Sequence, residues 1–162
     1  MPVFFLRHLG GLLLLPLLSH AAEPPQQPAS IERGRYLVQI AGCNDCHTAG
    51  YAVIPERIPE SDWLQGDLVG WSGPWGTTYP SNLRLTMPEL DEAQWLQQAR
   101  NASYRPPMPN RSLHVMSDDD LRSIYRFVNF LGRAGQPAPA YLPPGQQPAG
   151  PAIAFPSPPG AN

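Results

Sequence analysis

The chain has 162 residues, of which 22 are proline and only two are cysteine, and all 11 of its basic residues are arginine. That length supports one domain, on a prior of roughly 100–200 residues per domain, and excludes an enzyme with separate cofactor and substrate halves. Thirteen acids set the formal net charge at −2, which argues against a nucleic-acid binder, whose footprint is a basic patch, and two cysteines cannot build a disulfide framework.

Residues 1–21 read as a signal peptide. Arg7 and His8 precede an apolar run from Leu9 to Leu18, and Ser19 and Ala21 stand at the two small-residue positions of a cleavage site after Ala21. Ten Leu-rich residues are too few to span a bilayer core, which needs about 20, so the expectation is export to the periplasm with no stable membrane anchor after cleavage. Removing Arg7 leaves ten arginines against thirteen acids, a net charge of −3, and two histidines, His47 and His114. Residues 22–29 form a Pro-rich linker. Residues 135–162 hold nine of the 22 prolines and are expected to be an extended or disordered tail. The folded domain is therefore expected over residues 30–134.

Three helices can be argued within it. The first starts at a Ser30 cap and runs from Ile31 to about Ala41, with Ile31, Gly34, Leu37, Val38 and Ala41 on one face. Gly34 inside that face predicts a close helix crossing. The second starts at an Asp91 cap with Gln94 as its capping-box partner and runs to about Arg100 or Asn101. The third follows Ser117, carries Asp118, Asp119 and Asp120 at its positive end, and stops at Gly132. A carboxylate metal site explains those three acids less economically than a helix start does. No convincing alternating strand is present, so the fold class expected is all-α. Three modest helices and long loops bury little for some 105 residues, so something besides side chains should fill the core.

Both cysteines lie directly after the first helix, in Cys43-Asn44-Asp45-Cys46-His47. This is C-x-x-C-H, the haem c attachment pattern. Cysteines three apart share one side of a helical turn, so both sulfurs can form thioethers to haem vinyl groups, and His47 can reach the iron from that face. A thioredoxin-type dithiol would need a βαβ context that is lacking. A structural zinc site needs four ligands, which adjacent Cys46 and His47 plus a distant His114 supply poorly. His47 should donate its other ring N–H to a backbone carbonyl in the following loop.

Four residues compete for the sixth ligand. Met116 is explained as a helix staple, Met87 as ordinary packing, and His114 as a solvent-exposed side chain. Met108 sits in Arg105-Pro106-Pro107-Met108-Pro109, where three prolines restrict the backbone and stiffen the loop. It is the preferred partner of His47 at the iron. Trp71, Trp75, Tyr79, Asn82 and Arg84 could cover a porphyrin and satisfy its propionates; each also fits core packing or a surface polar role.

The capped helix ending in Cys43–His47, the Met in a Pro-rich loop and the amphipathic C-terminal helix resemble a class I c-type cytochrome. Gly73-Pro74-Trp75-Gly76-Thr77, Tyr79-Pro80-Ser81-Asn82-Leu83, Pro107-Met108-Pro109 and Met116–Leu121 further resemble the monohaem modules that accompany periplasmic alcohol and sugar dehydrogenases, over about residues 30–134. The resemblance implies a small cytochrome c-like domain around one covalent haem c. Its place for Met108 before the last helix matches the family. It also implies an electron carrier rather than an enzyme, a monomer or a subunit, working between a dehydrogenase or quinol-oxidising complex and a terminal oxidase. The alternatives are a fixed haem subunit of an oxidoreductase and a haem-based ligand sensor.

Overall fold

The computed structural model describes residue 1 and residues 29–156; apart from Met1 the expected signal peptide lies outside the described residues, as do positions 22–28 of the linker and 157–162 of the tail. The three expected helices are present as α1 (Ile31–Ile40), α4 (Glu92–Asn101) and α6 (Asp118–Leu131). Their starts follow local capping chemistry. Ser30 Oγ accepts from the Arg33 N–H, Asp91 and Gln94 form a reciprocal box, and Ser117 Oγ accepts from the Asp120 N–H.

Three further helical segments, α2 (Cys43–His47), α3 (Leu83–Thr86) and α5 (Asn110–Val115), are too short for periodicity to announce them. Gly42 separates α1 from α2 at φ +70°, a left-handed value that only glycine adopts cheaply. It ends one helix and redirects the chain so that the cysteines begin a new turn.

Among the described residues, helices α1 and α6 make the most extensive helix–helix contact. A Cβ on Gly34 would stand 2.1 Å from the Ser123 carbonyl oxygen and 2.6 Å from Phe127 Cβ, so the predicted close crossing is present. Leu37 and Val38 meet Leu121, Ile124, Phe127 and Val128 there in the central core. The three acids of α6 each hold an arginine: Asp120 with Arg33 of α1, Asp118 with Arg100 of α4, and Asp119 with Arg122 one turn on. Among the described residues no helix is long and apolar enough to cross a membrane.

The structure adds a small sheet to the helices, which the sequence pattern did not indicate. β1 (Gly70–Gly73) and β2 (Gly76–Thr78) form an antiparallel hairpin with Gly73 opposite Gly76, and β3 (Ala152–Ala154) pairs in parallel with β1. These strands are three or four residues long, and β1 and β2 are glycine-rich, so they carry no alternation to detect. The described part of the Pro-rich tail, which turns at residues 143–146, lies on this hairpin. Leu142 and Thr77 exchange backbone hydrogen bonds of 2.8 and 3.0 Å, and the Gly70 N–H donates to the Pro151 carbonyl. Prolines supply carbonyls, while Leu142 and Phe155 supply the amides that prolines lack.

Candidate functional site

The chain after α2 is fixed by a short buried network. Thr48 Oγ1 donates to Asn44 Oδ1 and accepts from the Leu64 N–H, both at 2.8 Å, and the His47 carbonyl accepts from the Gly66 N–H at 2.7 Å. Leu64, at φ +60°, is held in this left-handed conformation from both sides, since its carbonyl accepts from the Leu83 N–H at 2.9 Å. The loop thereby delivers Ser81 to the His47 ring. His47 Nδ1 lies 2.7 Å from the Ser81 carbonyl oxygen. A carbonyl only accepts, so Nδ1 carries the proton and Nε2 is left with its lone pair.

Cys43, Cys46 and His47 line a cavity of about 440 Å³, within the range of roughly 300–1,000 Å³ usual for cofactor sites. Leu83, Leu90, Trp95, Leu113 and Ile124 give it apolar walls. Both thiols are free. Desolvation pushes the Cys43 thiol up to about 12, raises that of Cys46, and lowers the His47 pKa despite its bond to Ser81. The wall thus presents two neutral thiols and a neutral imidazole.

Met108 lines the same cavity, as do Met87 and Met116. Met87 is only 2% exposed and belongs to the hydrophobic core. His114 is exposed, and its Nε2 meets the Ala102 carbonyl at 3.1 Å; it is outside the cavity lining. The loop carrying Met108 closes on Asn110, whose side chain accepts from the Tyr104 N–H at 2.7 Å and donates to the Tyr104 carbonyl at 3.0 Å.

Of the residues proposed to satisfy propionates, Tyr79 and Trp71 line the cavity. Trp75, Asn82 and Arg84 are not among its lining residues. Asn82 Nδ2 donates to the Ala134 and Gln136 carbonyls. Arg84 donates to the carbonyls of Gly132, Ser61 and Leu131 at 2.6, 2.6 and 2.5 Å. Its charge therefore stands at the carbonyl end of α6, where the helix dipole favours a cation. Trp75 packs on Phe155, with ring centroids 5.3 Å apart, and its buried Nε1 has no partner among the described residues.

Sequence reading did not single out Ser81, Asn110, or Arg105 and Tyr141, which line the cavity. Ser81 acts through its carbonyl, which leaves no signature in residue identity, and Tyr141 lies in the tail that carried no functional assignment.

These residues meet the requirements of haem c: two thiols three residues apart, an imidazole nitrogen fixed beside them, a thioether donor on a separate loop, and apolar walls. Among curated proteins, the chain is similar to the gluconate 2-dehydrogenase cytochrome c subunit of Pantoea cypripedii, with 32% identity over 120 residues, covering 66% of this chain. It spans only 27% of the length of that relative. No protein-family model matches the chain, and no solved structure matches it. The similarity supports a cytochrome c module.

Proposed function

We propose that this chain transfers electrons in the periplasm through one haem c, bonded to Cys43 and Cys46 and ligated by His47 and Met108, within a class I cytochrome c-like domain of residues 30–134. The observation that carries this reading is the meeting of both thiols and the His47 ring in the wall of one apolar cavity, with Nδ1 committed to Ser81. When bound, the haem supplies the Fe(II)/Fe(III) couple, and a histidine–thioether ligand pair raises its potential. The protein's part is to bind, orient and exclude water. Ser81 fixes the His47 tautomer, the Asn110 clasp shapes the Met108 loop, and the apolar walls limit solvent access, which also tunes the potential.

Such a module passes electrons from a dehydrogenase or quinol-oxidising complex to an oxidase, and is not itself an enzyme. The relative's place as a dehydrogenase subunit favours work within an oxidoreductase complex. A visible spectrum recorded through a redox titration tests the reading. It should show a low-spin c-type spectrum and a single one-electron wave, and the reduced protein should not bind carbon monoxide at neutral pH. Rapid carbon monoxide binding would mean a vacant sixth position and favour a sensor.

A further inference from the structure

Two contacts tie the loop that carries Met108 to the hairpin and the tail. On one side Thr78 Oγ1, at the end of β2, donates to the Pro106 carbonyl at 2.6 Å. On the other, the Arg105 guanidinium stands 3.9 Å from the centroid of the Tyr141 ring, a close cation–π contact. Tyr141 is in turn anchored to the hairpin, because its hydroxyl donates to the Trp75 carbonyl at 2.7 Å. The neighbouring Leu142 exchanges two backbone hydrogen bonds with Thr77.

The tail backbone passes so close here that a Cβ on Gly76 would stand 2.2 Å from the Leu142 carbonyl oxygen. Gly76 also adopts φ +97°, so two independent constraints require glycine where the tail crosses. Pro139 and Tyr141 line the same cavity as Met108. Hairpin, tail and methionine loop therefore brace one another around that cavity.

We propose that Tyr141 is a positioning residue for the iron's thioether ligand, and that the tail from Pro139 to Leu142 is a strap that holds the Met108 loop closed on the cavity. This rests on the reading of Met108 as an axial ligand. The strap acts through Arg105: while the guanidinium is held over the ring, the loop cannot swing outward without breaking that contact. Loosening it raises the fraction of time in which the thioether is away from the iron.

Imidazole is a suitable probe, because it binds oxidised iron only when the sixth position opens. In the full-length haem-loaded protein, Tyr141→Ala and Arg105→Met should each speed imidazole binding by roughly fivefold, the upper scale of a cation–π contact at an exposed site. The double variant should exceed either single change only slightly, because both remove the same contact. Tyr141→Phe keeps the ring, which the Leu142–Thr77 backbone bonds still hold in place, and should stay within about twofold of the parent, the low end of what one hydrogen bond contributes. Phe155→Ala loosens the far end of the tail, where Phe155 packs on Trp71 and Trp75, and should leave the rate unchanged. An unchanged rate in Tyr141→Ala overturns the strap, as does an equal rise in Phe155→Ala. Persistence of the thioether-to-iron charge-transfer band in Met108→Ala overturns the ligand reading itself, and the positioning role with it.

Discussion

Gly34→Ala should destabilise the protein by about 3 kcal/mol or more, at the upper end of what overpacking costs. The new methyl would stand 2.1 Å from the Ser123 carbonyl oxygen and 2.7 Å from its carbon, and 2.6 Å from Phe127 Cβ. Two of these three atoms are backbone of α6, so no side-chain rotation relieves the overlap, and the helices must separate. Phe127, Val128, Leu37 and Val38, all within 4% exposure, would then lose contacts together. Helix α1 also leads directly into Gly42 and the cysteine motif, so the displacement reaches the cavity wall. Thermal unfolding should show a midpoint lower by on the order of 10 °C. A loss under about 1 kcal/mol would mean that the crossing is looser than described.

Met108→Ala and Met87→Ala should separate the iron ligand from a core methionine. Met108→Ala should abolish the thioether charge-transfer band and lower the potential by on the order of 0.1 V, part of the ~0.8 V range that axial ligands govern. The half-buried Met108 side chain contributes less packing than Met87, so its loss should be modest in unfolding. Met87 is 2% exposed in the core, and its replacement should cost about 2–5 kcal/mol in unfolding, as buried methionine truncations do, while leaving band and potential in place. The reverse pattern would transfer the ligand role to Met87.

What could be read from the sequence was whatever is encoded within a few residues. Ser30, Asp91 and Ser117 mark helix starts because a cap needs only its own side chain and an amide two or three positions on. Gly34 announced a crossing because it interrupts an apolar face. C-x-x-C-H specifies its chemistry by spacing alone. The strands were not legible, because Gly70, Gly73 and Gly76 serve close backbone approach and a turn rather than an alternating face.

The partners of Asn82 and Arg84 were not legible for a related reason. Their donors are taken by carbonyls some 23–54 positions away, and residue type does not reveal which donors are already committed. The tail is the opposite case. Composition marks it as unable to form its own core, yet Leu142 and Tyr141 find partners on a hairpin whose free edges composition cannot show. The fold was thus legible in its helices, and the site in its motif, while the braces around the methionine loop came from long-range backbone contacts.

The central claim is that Cys43 and Cys46 bond a haem in this cavity. The most direct measurement is the intact mass of the full-length protein, produced in a host that matures c-type cytochromes, unfolded and stripped of non-covalent ligands before analysis. The parent chain should carry the added mass of one haem. The Cys43→Ala/Cys46→Ala double variant should carry none. A parent chain with both thiols free and no added mass, or a double variant that keeps it, would contradict the account.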